Sequence, residues 1–350
     1  MLTARTAAGV PALLDALDRV RDEGRYAAGF LAYEAGYALE PSVFDPPADG
    51  LLGWFGVYDA PERLAGDDAD VLLAEAGAFR LGTPRFALEQ GDYEARVADV
   101  RALIREGDVY QINLTAPFRF AFEGDPRGLY RAARRQQRVP YGAFIDTGEG
   151  HVLSFSPELF FRLDGRRITA RPMKGTAPRG ATPEEDDRLA NALAADEKNR
   201  AENLMIVDLL RNDLARVSEP GSVGVPRLFE TERYETVTQM TSTVTATLRP
   251  EATLADVLRA LFPCGSVTGA PKLRAMRRIR ELETGPRGVY CGAVGYLGPR
   301  GAVFNVPIRT VELRGGEGRL GVGSGIVWDS EAGAEYDECL LKARFLLEAT

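Results

Sequence analysis

Histidine is almost missing from this 350-residue chain, His151 being the single one. That excludes His-rich zinc centres and leaves any metal to oxygen ligands, which favours hard cations such as magnesium. Cysteine is nearly as scarce. Cys264, Cys291 and Cys339 are odd in number and widely spaced, which excludes a disulfide framework and points to a reducing, cytoplasmic setting. No stretch approaches the roughly 18 consecutive apolar residues of a membrane span. The start, MLTARTAAGVPALLDALDRV, mixes acids with apolar residues and reads as an amphipathic helix rather than a signal peptide. Basic runs interleaved with aromatics are also lacking, and the formal charge is −8. The densest basic stretch, RAARRQQR (131–138), reads as a solvated helix face, so neither nucleic acid nor membrane is an expected partner. An anionic substrate must therefore be gripped by a local cluster rather than drawn in by the global field.

What is present is enough apolar sequence for a large core, 45% of residues, in one domain or two. Leu13, Leu14, Leu17 and Val20 recur at helical spacing and predict a helix over 11–24 ending at Gly24. FLAYEAGYALE and LLGWFGVYDA read as strands. ERLAGDDADVLLAEAG is acidic and ill-defined, and a soft boundary falls near residue 85. Beyond it, DYEARVADVRALIREGD is an amphipathic helix, VYQINLTAPFRF a strand, 126–138 a helix and YGAFIDT a strand. Strands follow at 151–163 and 166–174, joined at Asp164-Gly165. Residues 183–217 form two helices or one broken helix. Then come strands near 225–230 and 236–248, helices 253–262 and 271–283, three strands (CGAVGYLG, AVFNVPIRTVEL, GRLGVGSGIVW) and a closing helix over 331–348. Mixed helices and strands with several hairpins predict an α+β fold rather than a doubly wound sheet.

Two glycine-rich stretches imitate nucleotide motifs and fail. GSVTGAPK (265–272) has Ala270-Pro271 where a P-loop needs Gly before the lysine, and Leu273 where it needs Ser or Thr. GVGSGIV (321–327) puts Ile326 in place of the last Gly of a dinucleotide fingerprint and lacks the surrounding strand–helix–strand unit. Each is either a plain tight turn or a loop that offers backbone N–H groups to an anion.

Four constellations could carry chemistry. Glu335, Glu338 and Lys342 share one face of the last helix, as a solvated surface or as a site. Glu202 lies on a second helix dense in polar pairs, where Asp208 and Asp213 are expected to pair with nearby arginines. Carboxylates from two helices suit magnesium shared with a substrate. Glu158 and Lys174 stand on adjoining strands. A two-residue turn would set them on opposite faces, whereas a three-residue loop, or a bulge near Pro157 or Pro172, would set them on one. The shared face is the expectation. Arg309, after Val306-Pro307-Ile308, either closes a salt bridge or grips a carboxylate bidentately.

Together the blocks VYQINL, SFSPELFF, RPMKGTAPRG, RAENLMIVDLLRNDLARV, PCGSVTGAPKLRAM, CGAVGYLG, VPIRTV and GVGSGIVWDSEAGAEYDECLLKAR resemble the chorismate-binding enzymes. The family includes anthranilate, aminodeoxychorismate, isochorismate and salicylate synthases. The resemblance implies two packed, antiparallel-rich sheets flanked by helices. It also implies a shortened N-terminal region (1–85) packing on a catalytic domain (86–350). Lys174 in RPMKGT matches the aminodeoxychorismate synthase branch, since anthranilate synthases carry Ala there. Gln111 replaces the water-activating lysine of the isochorismate branch, and Gln239 replaces a family histidine.

By this resemblance the chain is the aminase subunit that converts chorismate and ammonia to 4-amino-4-deoxychorismate for folate synthesis. The ammonia comes from a glutamine amidotransferase subunit. Lys174 is the implied nucleophile and Glu158 the acid. Magnesium is held by Glu202 and Glu338 with Glu335 beside them. Arg309, Tyr296, Thr268, Lys342 and the backbone of Gly323, Ser324 and Gly325 contact substrate. Nucleophilic attack needs Lys174 as the neutral amine, which burial, magnesium or Arg171 would favour. The alternatives are a sibling synthase reaction and a non-catalytic protein that keeps the fold.

Overall fold

The computed structural model describes residues 1–48, 50–64, 71–234 and 237–349. Part of the acidic stretch (65–70) and residue 236, the expected start of a strand, lie outside them. The apolar stripe of the first helix, Gly9–Asp22, is buried as its spacing demands. The helix stops at Gly24, whose φ of +76° only glycine adopts without cost.

Two antiparallel sheets form the frame of the fold. One has ten strands, in the spatial order Leu2–Ala4, Gly53–Tyr58, Tyr26–Leu31, Ala293–Gly298, Gly301–Asn305, Leu159–Asp164, Arg167–Arg171, Val237–Thr247 and Met173–Pro178. Gly224–Arg233 also pairs with Val237–Thr247. The other has eight. Its path runs Gly269–Ala270, Gln111–Gly124, Glu317–Ile326, Thr310–Arg314, His151–Ser156 and Tyr141–Asp146, while Phe79–Leu81 and Arg85–Phe86 pair with Gln111–Gly124. Phe30, Trp54 and Val294 of the first sheet pack with Val152 of the second. The expected α+β architecture is therefore present. Strands from the first 85 residues are hydrogen-bonded into the same sheet as Ala293–Gly298, so that region joins the main domain by its backbone as well as by packing. Among the described residues, no helix is long and apolar enough to cross a membrane.

Four expected strands need correction, the first being 166–174, which is interrupted at Pro172 into Arg167–Arg171 and Met173–Pro178. FLAYEAGYALE is a strand only to Leu31, and Ala35–Leu39 is a short helix. Gly36 lets Pro263 close on that helix, where a Cβ would lie 2.6 Å from its ring. The run 151–163 breaks at Pro157-Glu158, and its halves lie in different sheets. AVFNVPIRTVEL breaks likewise over 306–309, with Arg309 at φ 51°. Proline cannot donate to a ladder, so each run leaves its sheet where a proline stands. The two crossovers are bonded to each other. Val306 N–H donates to Glu158 O (3.1 Å), Phe155 N–H to Arg309 O (3.0 Å), and Ser156 Oγ to Val306 O (2.5 Å).

The helices are nearer expectation. Residues 183–217 form two, Pro183–Ala195 and Glu197–Ala215, capped by the side chains of Thr182 and Asp196. The closing helix is interrupted at Ala343, giving Ala332–Lys342 and Arg344–Leu347.

The Ser156 hydroxyl ties one crossover to the other and also accepts from Glu158 N–H (3.2 Å). Ser156→Ala leaves the buried Glu158 N–H unpaired, while Val306 O keeps its bond from Ile308 N–H, at a cost of about 1–3 kcal/mol. Urea denaturation should show this as a lower midpoint; an unchanged midpoint would mean that packing alone joins the crossovers.

Candidate functional site

The crossovers place Glu158. Between its two strands it is 3% exposed, accepts from Ser266 Oγ at 2.7 Å, and stands close enough to Lys174 to feel its charge. Burial pushes the carboxyl up to about 7, partly offset by Ser266, Lys174 and the Met173 N–H. It is a buried acid that still holds its proton near neutrality.

The parity question resolves as a turn plus a bulge. Asp164 pairs with Arg167, so Gly165-Arg166 is a two-residue turn, one position later than expected. Between Thr169 and Arg171 the register slips by one. A one-residue slip exchanges faces, which undoes the effect of the turn; beyond Pro172, inside a second irregularity between Met173 and Thr176, Lys174 comes near enough to Glu158 for its charge to act there. The Lys174 amine reaches the strand Glu317–Ile326. A Cβ on Gly325 would sit 3.0 Å from Lys174 Nζ and 2.9 Å from Gln111 Nε2. Gln111 is fully buried, and both its amide atoms lack partners. Only a glycine leaves room for both of these side-chain ends.

GVGSGIV is not a turn but strand, paired residue by residue with Gln111–Gly124. Its other edge is covered by Thr310–Arg314 only as far as Leu320. In an antiparallel strand the backbone groups alternate between edges. Lys342 Nζ donates to Gly323 O at 2.7 Å, which marks Gly323 and Gly325 as facing the bare edge. Ser324 turns the other way, its hydroxyl 2.9 Å from Tyr93 Oη. Its backbone N–H, the expected substrate contact, therefore faces the partner strand at Leu114 rather than the bare edge.

Two helices bring in the carboxylates. Burial raises the Glu202 carboxyl; Lys174 and Lys198 oppose this, and Glu335 and Glu338 add to it. For Glu338 burial also acts upward, but Lys342, Lys174 and Lys198 outweigh it and hold the group below its usual range. Glu338 pairs with Lys342 at 2.6 Å, and Glu335 accepts from Ser330 Oγ at 2.7 Å. The structure thus gathers Glu202, Glu335, Glu338, Lys174 and Lys342 around one space. Among the described residues no three carboxylates are close enough to cage a metal unaided.

Other expectations shift. Arg309 has no salt-bridge partner among the described residues. With the Gln137 amide oriented to satisfy both groups, its oxygen accepts from the guanidinium. Burial lowers Arg309 to about 10, with Tyr234 opposing. Tyr234, not Tyr296, is the phenol near it. Tyr296 is 56% exposed, paired with Ala28 and Val303, and not drawn into the cluster. The Thr268 hydroxyl donates within its own turn, to Cys264 O (3.1 Å) and Gly265 O (3.3 Å). Arg171 is spent on an ion pair with Glu232, so it adds no free positive charge beside Lys174. Asp208 does pair with Arg211 (2.7 Å), but the partner of Asp213 is Lys272 (2.5 Å). Gln239 Nε2 donates to Thr176 (3.0 Å) on the strand that carries Lys174. A cleft of about 440 Å³ flanks the cluster, walled by Pro157, Leu159, Met173 and Tyr234 but by neither Lys174 nor Glu158. Sequence reasoning missed Ser266, Lys198, Gln137 and Tyr234. Only Lys198 carried a local signal, standing four residues before Glu202 on one helix face.

This scaffold of facing sheets and crossovers belongs to a known class. Residues 4–348 match the chorismate binding enzyme family, and the chain is a member of it. It is 44% identical to aminodeoxychorismate synthase component 1 of Klebsiella aerogenes over 83% of this chain and 65% of that one. It is 43% identical to anthranilate synthase component 1 of Methanothermobacter marburgensis over 76% and 58%. The chain thus spans less than two thirds of the length of either relative. The crystal structure of anthranilate synthase component I from Streptococcus pneumoniae superposes with a TM-score of 0.78 at 31% identity, covering 95% of this chain and 85% of that one.

Gly325→Ala should lower whatever turnover of chorismate the parent shows at least tenfold. Its melting temperature should stay within a few degrees of the parent, because the groups it meets are the movable ends of Gln111 and Lys174. Full activity would show that the gap beside Gly325 is unused.

Proposed function

We propose that this chain is the aminase component of an aminodeoxychorismate synthase. Chorismate and ammonia would give 4-amino-4-deoxychorismate, the precursor of p-aminobenzoate for folate, and a separate glutamine amidotransferase would supply the ammonia. Anthranilate synthases match the chain about as well as aminodeoxychorismate synthases do, so overall similarity does not choose the reaction. The observation that carries the choice is Lys174 itself. Its amine has no hydrogen-bond or ion-pair partner among the described residues, and it lies between a buried acid and a bare glycine edge.

In this reading Lys174 attacks the ring carbon next to the ring carboxylate. The double bonds shift and the distal hydroxyl departs, taking the proton of Glu158. Ammonia then adds at the vacated carbon, the double bonds shift back, and Lys174 is released. Glu158 suits the part because a group titrating near neutrality is the better acid there. Arg309 would take the second carboxylate, displacing Gln137, and the Gly323 and Gly325 N–H groups would face the ring carboxylate. Thr268 would support this from its turn. Tyr296 has no evident part.

Glu202 and Glu338, with Glu335 beside them, are all-oxygen donors on two helices, and their partial set suits magnesium completed by ligand oxygens and water. When bound, it would neutralise the ring carboxylate. Three free, buried cysteines agree with a cytoplasmic enzyme.

Incubation with chorismate, magnesium and ammonium, with products identified by mass, tests the assignment. Aminodeoxychorismate is expected; anthranilate, isochorismate or no turnover would reject it. Lys174→Ala should abolish at least 99% of that product, whereas full activity with ammonium supplied would remove the covalent role. For Glu158→Gln, loss of a proton donor predicts a fall of about 10²–10⁴ in kcat. In the parent, kcat should decline as pH rises through about 7, because the acid loses its proton, and the variant should lack that limb. A limb that persists in the variant would assign it to another group.

A further inference from the structure

Arg85, Arg119 and Arg319 stand in one line across three neighbouring strands. Arg85 pairs directly with Arg119, and Arg119 with Arg319. Residues so paired share a face of the sheet, with Cβ atoms about 5 Å apart, and like charges there repel. Among the described residues none of the three has a carboxylate within salt-bridge distance, in a chain whose acids outnumber its bases, 51 to 43. Glu312 comes next in the line, opposite Arg319. It turns to the Val289 N–H at 3.1 Å, and burial pushes it up to about 7 despite Arg319. At neutral pH it is a weak counter-charge.

A cavity of about 110 Å³ opens beside this line, with Arg119, Arg319, Arg287 and Thr115 on its walls. Glu283, the carboxylate on that wall, is consumed by Arg287 (2.7 Å) and Thr115 (2.9 Å). Arg319 donates a terminal N–H to Pro286 O, while its Nε–H is buried without a partner. The surroundings therefore present unspent positive charge and an unmet donor beside a space of about one small anion. We propose that this cavity binds a small tetrahedral oxyanion of the phosphate type between Arg119 and Arg319. It is distinct from the Lys174 cluster. Arg319 lies six residues from Gly325 on the same strand, roughly 20 Å along it.

The full chain would be melted, and titrated by calorimetry, in chloride, phosphate and sulfate at matched ionic strength. Phosphate should raise the melting temperature saturably, and chloride should not. Arg119→Gln, an exposed substitution outside the proposed chemistry, should weaken phosphate binding at least tenfold. In chloride it should melt no lower than the parent, because the repulsion from Arg85 and Arg319 is relieved. Arg300→Gln, off the line, should keep the phosphate response. Equal shifts from chloride and phosphate, or an unaltered response in Arg119→Gln, would overturn the proposal.

Discussion

The site depends on one constraint: two chain segments change sheets at the same place and are bonded to each other as they do so. Pro157-Glu158 and Val306–Arg309 each leave one sheet for the other, joined through Glu158 O, Val306 and Ser156. Buried backbone groups must find partners, and here the two departing segments satisfy one another. The strand Thr310–Arg314 thus covers Glu317–Ile326 only in part, and the edge at Gly323 and Gly325 stays bare. Glu158 and Arg309 enter the interior as members of the crossovers, not of the strands around them.

Electrostatics then divide the roles. Glu158 is buried with a lysine near but not in contact, so burial dominates and the proton stays. Glu202 and Glu338 lie on separate helices around the same lysines and shift in opposite directions. Glu338 is in direct contact with Lys342, and among the described residues Glu202 has no such ion pair. The trough thus combines an acid that keeps its proton with carboxylates suited to a cation.

The scaffold is shared by relatives named for different reactions, so reaction choice falls on few positions. Lys174 and Gln111 both converge on Gly325. One is the proposed nucleophile, and the other is a neutral amide where the resemblance places a water-activating base in the hydroxylating branch. On the proposed reading, two side chains at one glycine redirect a common leaving-group chemistry without altering the sheets.

The fold class, most helices, the carboxylate helices and Lys174 were legible in the sequence. Helical spacing, caps and motif blocks are local properties. The breaks at Pro157 and Pro307 were visible as residues but not as changes of sheet, because an apolar run looks the same whichever sheet receives it. The pairing of Glu158 with Lys174 turned on a bulge at Thr169–Arg171 that alternation alone does not reveal. The same limit misplaced Tyr296 and hid Tyr234, Ser266 and Gln137, which approach from segments far along the chain. The sequence by itself determined which groups were available and which family they served. Only the tertiary structure decided which of them meet, because side chains distant in sequence become neighbours through register and crossover, and both are set by packing across the whole molecule.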